Sequence, residues 1–275
     1  MRFEQQNLES VESERNPEVY FSVSNLIRGC VVKKEDGSTE RFDLAIKGKD
    51  LNGKTKYQAI GGGAKMPLKI IEQMKKEFGD KIRFRGGEEA DDARFYVSIP
   101  DNSKIADGDS EEQQRIARKN LNEFVHSIFD RFSEYVIEEK NVDVDDEDNF
   151  SYEVDADREM REELVKAGIF DPNEVANIET SFVGTVSPIQ WGKTTSGRSD
   201  GAVAYHRIFN LFDMYITEKE FKKIKESDKI RVFSEEDISN IKEATQKGLV
   251  TAELADGSVV VENIFPEFCK KDKMA

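Results

Sequence analysis

Three closely spaced glutamates are the residues whose types and spacing most clearly suggest chemistry. They are Glu159, Glu162 and Glu163, in the segment DREMREELVKAG. At about 100° per residue, a helix brings the three carboxylates within an arc of about 100°. Met160 and Leu164 fall on an adjoining apolar stripe, so one side of such a helix packs while the other presents negative charge.

A helix face with three carboxylates suits a divalent cation. Like charges at this spacing repel one another by about 0.2 to 0.5 kcal/mol per pair, and a bound cation relieves that repulsion. Mg²⁺ prefers carboxylate oxygens together with water and phosphate oxygens. The alternative interpretation is a solvated surface helix, on which Glu162 and Lys166 form an ordinary ion pair one turn apart.

The segment PIQWGKTTSGRSDGA, residues 188–202, is the second candidate for chemistry. It contains the one tryptophan of the chain, Trp191, with Lys193 and Arg198 among Gly, Ser and Thr. An aromatic ring can stack on a base and the cations can meet phosphates, which suits a loop that closes on a nucleotide. The alternative is a solvent-exposed hairpin loop that Trp191 anchors to the core. The GKT triplet lacks the spacing of a phosphate-binding loop.

Strands and helices alternate around these two segments. The predicted strands are 19–34, 41–48, 56–60, 93–100, 179–186, 204–216, 229–233 and a hairpin around Asp256 and Gly257. The predicted helices are 67–78, about 110–139, 157–167, about 217–227 and one that starts at Ser234 and ends at Gly248. Ser110 with Gln113 and Thr217 with Glu220 form capping boxes that mark two of the helix starts.

This mixed order of elements predicts an α/β fold in one domain, residues 19–275, preceded by an N-terminal arm, residues 1–18. The domain carries a helical insertion at about 67–140. Strand patterns flank the three-glutamate helix on both sides. We therefore expect the strands of 19–63 and 178–216 to join one mixed sheet, with that helix on one face.

Composition limits the kinds of partner. The chain carries 41 Lys and Arg against 56 Asp and Glu, a net charge of −15. This acidic balance argues against a protein that coats nucleic acid, although it leaves room for a small phosphorylated ligand. The two cysteines, Cys30 and Cys269, indicate ordinary thiols, not a disulfide framework. No apolar run approaches the roughly 18 residues of a membrane span, so we expect a cytoplasmic protein that binds no membrane.

The run Arg158-Glu159-Met160-x-Glu162-Glu163 resembles the helix of the Nudix hydrolases, whose motif core is R-E-U-x-E-E with U apolar. In that family the glutamates hold divalent metals, and the arginine braces the loop–helix structure by ion pairing. The resemblance implies Mg²⁺ or Mn²⁺ on the three glutamates and a structural role for Arg158. With the helical wheel, it also places the three carboxylates in a common cavity near Gly61–Gly63, where the strand KYQAI ends.

The order of elements is similar to that of the SMODS-associated Nudix group, divergent domains found beside bacterial signalling nucleotidyltransferases in antiphage loci. This resemblance implies an α/β/α sandwich with a mixed sheet, in which the helix after KIRVF packs opposite the glutamate helix. It implies hydrolysis of a nucleoside diphosphate linked to another group, with Glu162 and Glu163 as catalytic residues. It implies a nucleotide ligand and association with a signalling nucleotidyltransferase system, and leaves a homo-oligomer open. The residues expected to bind substrate are Gly62, Gly63, Trp191, Lys193 and Arg198.

The sequence also departs from the family motif, which keeps other functions open. Val165 stands where the motif has Gly, and Lys166 where it has an apolar residue. The upstream Glu of the motif would fall on Phe150, and Glu153 is the nearest substitute for its structural role. These departures suggest a second hypothesis, a catalytically degenerate domain that binds or senses a nucleotide. A third is an interaction protein whose acidic helix is only a surface.

Overall fold

The computed structural model describes residues 17–48, 54–66, 68–85, 93–106, 108–140, 156–186, 189–191, 202–246 and 251–261. Within these ranges, twelve strands join one mixed sheet and helices pack on it. The α/β class and the mixed sheet predicted from the sequence are therefore confirmed.

Most of the predicted strands and helices are present, whereas the strands Ile82–Phe84 and Ile189–Trp191 and the short helix Pro172–Val175 were not predicted; the second of these strands lies in the segment expected to be a loop. The strands are β1 (Glu18–Lys33), β2 (Thr39–Lys47), β3 (Lys56–Gln58), β4 (Ile60–Gly63), β5 (Ile82–Phe84), β6 (Arg94–Ser98), β7 (Glu179–Val186), β8 (Ile189–Trp191), β9 (Ala202–Thr217), β10 (Ile230–Val232), β11 (Thr251–Glu253) and β12 (Val259–Val261). The helices are α1 (Leu68–Phe78), α2 (Glu111–Lys140), α3 (Asp157–Lys166), α4 (Pro172–Val175), α5 (Glu218–Glu226) and α6 (Glu235–Gln246).

Two long parallel strands, β1 and β9, form the centre of the sheet. They stay paired from Glu18 opposite Ala202 to Lys33 opposite Thr217. Strands β2, β4 and β6 pair antiparallel with β1, and β7 and β8 pair antiparallel with β9. Strands from 19–63 and 178–216 thus share one mixed sheet, as predicted. Most residues of β1 are buried, including the polar Ser22 and Asn25, as expected for a central strand that is covered on both faces.

Helices lie on both faces of the sheet. Adjacent strand residues point to opposite faces. Ile27 of β1 belongs to the buried cluster that contains Leu164 of α3. Its neighbour Leu26 belongs to the cluster that contains Ile241 of α6. Helices α3 and α6 therefore cover opposite faces and form, with the sheet, three layers.

The segment 67–140 contributes strands as well as helices. Met74 of α1 and Val125 of α2 pack with Phe21 of β1 in one buried cluster. Between these helices, β6 pairs with β1 and β5 pairs with β6. Phe95 of β6 stacks on Phe21, with 5.1 Å between ring centroids. The segment expected as a helical insertion is thus partly built into the main sheet.

Capping side chains define the predicted helix starts. At α2, the backbone N–H of Gln113 donates to the Ser110 hydroxyl, and the Ser110 N–H donates back to the Gln113 side chain. Thr217 and Glu220 form the same reciprocal pair at α5. Each pair satisfies backbone donors that have no partner inside the helix. None of the described helices has the length and apolar content needed to cross a membrane.

Candidate functional site

Helix α3 carries the glutamate motif and is fixed to the sheet by its apolar stripe. Met160 and Leu164 are completely buried, as the helical wheel predicted. Gly168, with a φ of +72°, follows the helix end. The N–H of Gly168 donates to the carbonyl of Val165, and the N–H of Ile169 donates to that of Leu164. This pairing is a Schellman cap, so the glycine after the motif ends the helix.

The half-buried side chain of Glu163 connects α3 directly to the glycine strand β4. The backbone N–H of Gly61 donates to Oε2 of Glu163 over 2.7 Å. The contact is a hydrogen bond to an ionised acceptor, a class about twice as strong as neutral hydrogen bonds. Two segments that lie 102 residues apart in the chain therefore meet at one atom pair.

The position of Gly61 accepts only glycine. Its φ is +129°, and a Cβ there would lie 2.2 Å from the backbone oxygen of Asn25. Gly62 and Gly63, both predicted to bind substrate, continue β4 opposite Asn25 and Ser24 of β1. The structure brings them beside the Glu163 contact, whereas their role in substrate binding stays a prediction.

Glu162 has a different environment from Glu163. It is exposed, and its two carboxylate oxygens accept hydrogen bonds from Lys166 over 3.0 Å and from Arg158 over 3.3 Å. The hydrogen bond from Lys166, followed by that from Arg158, lowers the pKa of Glu162. The pair with Lys166 is the ion pair of the surface-helix interpretation. The pair with Arg158 also lies within α3, and the bracing of the loop–helix structure by that arginine stays a prediction.

Several predicted site residues cannot be placed in this geometry. The side chain of Glu159 is not among the described groups, and Glu153, Lys193 and Arg198 lie outside the described residues. Trp191 ends β8 opposite Ala204 of β9, and only its backbone is described. Among the described side chains, no group of three or more His, Cys, Asp or Glu is gathered as a metal site.

A row of polar side chains near Glu163 was missed by the sequence analysis. The Thr185 hydroxyl donates to Oδ1 of Asn210 over 2.9 Å, and Nδ2 of Asn210 donates to Oδ1 of Asn25 over 3.0 Å. We call these three residues the polar row. It crosses β7, β9 and β1, and its exposure falls from Thr185, which is exposed, to 7% at Asn210 and 0% at Asn25.

The polar row lies on the α3 face of the sheet. Along β1, Asn25 stands between Val23 and Ile27, and these flanking residues belong to the clusters under α1–α2 and under α3. Asn210 stands between Ile208 and Phe212 of the same two clusters. Residues two apart share a face. A sequence signal did exist: a lone Asn at an inward position of each of the two central strands.

Cys30 is buried and contributes no reactive thiol. Burial raises the pKa of the Cys30 thiol to about 12, and only the thiolate is a good nucleophile. On the adjoining strands, the Arg41 guanidinium donates to both carboxylate oxygens of Asp213, over 2.8 and 3.0 Å, and to Asp43 over 2.7 Å. Both carboxylates thus share one guanidinium, and this network joins β2 to β9.

A surface cavity of about 640 Å³ lies away from the glutamate motif, between α5 and the ends of β1 and β2. Lys34 pairs with Glu40 over 2.7 Å, and Lys222 with Glu226 over 3.7 Å. The cavity is lined by equal numbers of lysines and glutamates, so its lining gives no net positive field to attract phosphate. The lining residues are Val32, Lys34, Glu40, Phe42, Glu218, Phe221, Lys222, Lys225 and Glu226.

A scan against models of protein families, a search of curated proteins and a search of solved structures each found no match to this chain. The geometry of α3 and β4 is therefore the basis for an interpretation of function. That geometry consists of a half-buried carboxylate against a glycine strand, an exposed ion-paired carboxylate beside it and a buried polar row alongside.

Proposed function

We propose that this chain is a divalent-metal-dependent hydrolase of the Nudix type, acting on a nucleoside diphosphate linked to another group. The observation that carries the proposal is the 2.7 Å contact between Glu163 and the Gly61 N–H. It joins the helix with the R-E-U-x-E-E motif to the glycine strand that the resemblance associates with it. The positions of α3 and α6 on opposite faces of the sheet also agree with a Nudix sandwich.

The residues fit a hard divalent cation by the chemistry of their donors. Carboxylate oxygens are ligands that Mg²⁺ and Mn²⁺ accept. An ionised carboxylate offers about four lone-pair sites, so Glu163 can ligate while one oxygen holds the Gly61 N–H. Glu159, Glu162 and Glu163 would hold the ion. When bound, it supplies charge neutralisation for the diphosphate and a lowered pKa for water.

The residues of the chain have separate parts in this proposal. Glu163 takes the proton of the attacking water at a carboxylate oxygen. The buried stripe of α3, Met160 and Leu164, holds the helix and therefore that carboxylate in place. Gly62 and Gly63 present backbone without side chains, so a diphosphate can approach β4 closely. Arg158 and Lys166 fix the orientation of Glu162 by their ion pairs. Trp191, Lys193 and Arg198 stay the proposed contacts to base and phosphate, and Glu153 a proposed brace.

A second candidate, a degenerate domain that binds a nucleotide without turnover, is favoured by the environment of Glu162. Both of its oxygens accept hydrogen bonds from cations of its own helix, and a metal would have to compete with them. Lys166, one of these cations, stands where the motif has an apolar residue. In either case we propose a nucleotide ligand in a bacterial signalling system of the antiphage type, with a signalling nucleotidyltransferase as a functional partner.

The two candidates are distinguished by a panel of dinucleoside polyphosphates, nucleotide sugars and nucleoside triphosphates. Purified chain is incubated with each compound and Mg²⁺ or Mn²⁺, and products are measured with and without a chelator. The proposal expects turnover of at least one compound that is lost with chelator and in Glu163→Gln, and kept in the control Glu123→Gln on the exposed face of α2. Tight binding without turnover would favour the second candidate. Turnover that persists with chelator and in Glu163→Gln would contradict the metal-dependent hydrolase.

A further inference from the structure

The polar row places two buried amides among apolar neighbours on the α3 face of the sheet, which is a costly position. Asn25 and Asn210 are 0% and 7% exposed, and apolar residues stand on either side of each along its strand. Burying an amide is unfavourable unless it is hydrogen-bonded, and a hydrogen-bonded buried pair often gives no more stability than apolar side chains of similar size. Packing alone would therefore favour Leu or Val at these positions.

The hydrogen bonds of the row give it a defined direction. The Thr185 hydroxyl can donate to Asn210 Oδ1 only if the Asn210 amide nitrogen faces Asn25, as observed. This nitrogen in turn donates to Oδ1 of Asn25. A carboxamide has its oxygen and its nitrogen on opposite sides. The amide nitrogen of Asn25 is thus turned away from β9, toward the side of β1 on which β4 lies.

The buried end of the row is in direct backbone contact with the Glu163 site. Asn25 pairs with Gly62, and Leu26 pairs with Gly61. The backbone oxygen of Asn25 is so near Gly61 that a Cβ there would lie 2.2 Å away. The hydrogen bond from Asn210 fixes the side chain of Asn25. It thereby restrains the backbone of β1 at Asn25 and Leu26, against which the Gly61 N–H is oriented. That N–H is the donor to Glu163.

We infer that Asn25 and Asn210 are positioning residues for Glu163. They hold the backbone of β1 so that β4 presents the Gly61 N–H to the carboxylate, and Thr185 fixes the orientation of both amides from the exposed edge. The inference rests on the proposed function for the purpose of Glu163, but the contact it concerns exists without any ligand. It can therefore be measured separately from metal binding and from turnover.

The test uses Asn210→Leu, with Thr185→Val as a milder variant that keeps both amides. Protein labelled with ¹⁵N-glycine reports the Gly61 amide proton by NMR, and Glu163→Gln shows the shift that follows when the charged acceptor is removed. Mn²⁺ titration followed by electron paramagnetic resonance reports the affinity of the site. Ser258→Ala is the matched control, because Ser258 is 6% exposed and hydrogen-bonds to Asp256 within another cluster.

In Asn210→Leu we expect the Gly61 amide proton to move upfield, in the direction also expected for Glu163→Gln, and the Mn²⁺ affinity to fall about ten- to a hundredfold. Thr185→Val should shift the same resonance by less. Ser258→Ala should lower the melting temperature without either change. In a Glu163→Gln background, Asn210→Leu should cause no further loss of Mn²⁺ affinity, since both act through one carboxylate.

Each outcome separates this inference from the proposed function. An unchanged Gly61 resonance in folded Asn210→Leu and Thr185→Val would overturn the positioning role, whether or not Mn²⁺ binds. A shifted Gly61 resonance in a protein that binds no Mn²⁺ would support the positioning of Glu163 and count against the metal-dependent hydrolase. If Asn210→Leu does not fold, the Gly61 resonance of Thr185→Val decides. An equal loss of Mn²⁺ affinity in Ser258→Ala would show that general destabilisation explains the effect, and would overturn the inference.

Discussion

Two polar clusters connect helices to opposite faces of the sheet, and they are built from different partners. At α6, the Arg231 guanidinium donates to Asp237 over 2.9 Å and also to Asp256 and Ser258. At α3, the carboxylate of Glu163 accepts the backbone N–H of Gly61. In the α6 cluster a cationic side chain donates to the carboxylates. In the α3 contact a backbone N–H donates to the carboxylate of Glu163.

This difference bears on the ligand site that we propose at α3. In the Arg231 cluster one guanidinium pairs with both carboxylates, and Asp237 is only 8% exposed. The cluster therefore joins β10, α6 and the β11–β12 hairpin through ion pairs between side chains. A backbone N–H stabilises a carboxylate without cancelling its formal charge. The Gly61 contact therefore orients Glu163 without itself removing the formal charge of the carboxylate.

The largest expected effect that tests this contrast is the loss of turnover in Glu163→Gln and Glu162→Gln. For a substrate that the chain hydrolyses, we expect most turnover to be lost in both, and about 10²- to 10⁴-fold in Glu163→Gln. Stability should change little, because Gln and Glu have similar helix propensities and the Gln amide oxygen can still accept the Gly61 N–H. Initial rates at saturating Mg²⁺ or Mn²⁺ and thermal melts measure both. Rates like those of the parent in both variants would place the chemistry elsewhere.

The next effect compares the apolar contacts beneath the two clusters. Leu164 is 0% exposed under α3 and Ile241 is 2% exposed under α6. Truncation of either to Ala should lower the free energy of unfolding by about 2 to 5 kcal/mol, as measured by urea denaturation. Only Leu164→Ala should also weaken Mn²⁺ binding, because it loosens the helix that carries the glutamates. Equal Mn²⁺ affinities in the two variants would contradict the proposed difference between the α3 and α6 clusters.

Removal of the cation from the α6 cluster should affect stability alone. Arg231→Met leaves the buried carboxylate of Asp237 without its guanidinium, and we expect a loss of about 1.5 to 3 kcal/mol. Lys222→Met is the control, because Lys222 is 76% exposed and its ion pair with Glu226 is long, at 3.7 Å; such pairs contribute about 0 to 1 kcal/mol. A fall in Mn²⁺ affinity or turnover in folded Arg231→Met would contradict a purely structural role.

Much of this fold could be predicted from the sequence because its boundaries depend on local chemistry. Thr217 and Glu220 mark the start of α5, and β7 has the bounds 179–186 that its β-branched pattern predicted. The joining of 19–63 with 178–216 followed from strand patterns on both sides of α3. Short elements such as α4 and β5 were missed, because they carry too few residues for a periodic signal.

The site was predicted only in part, for a physical reason. Spacing on a helical wheel shows which side chains share a face, but it cannot show which of them reach another element. Glu162 and Glu163 are neighbours in sequence, yet one meets Lys166 of its own helix and the other meets Gly61 of a distant strand. The polar row depends on the register of β1, β9 and β7, which no local pattern determines.

The smallest expected effect is a pH dependence in the α6 cluster, and it arises from Asp256. The hydrogen bond from Ser258, helped by Arg231, lowers the pKa of Asp256 from 3.8 to about 2. A group with a lowered folded-state pKa stabilises the fold above its unfolded-state pKa and loses that contribution as the pH falls through the folded value. The stability difference between the parent and Asp256→Asn should therefore be constant above about pH 5 and shrink between about pH 4 and pH 2.

Urea midpoints of the parent and Asp256→Asn at pH 7, 4 and 2.5 measure this difference. Asp256 is 55% exposed, so solvent screens its interactions and the difference should be small even at pH 7. Asn can still accept the Ser258 hydroxyl, so the variant removes the charge and keeps the turn. If the stability difference between the parent and Asp256→Asn is as large at pH 2.5 as at pH 7, Asp256 acts through shape and hydrogen bonding alone. The α6 cluster would then depend less on ion pairing than its contrast with Glu163 requires.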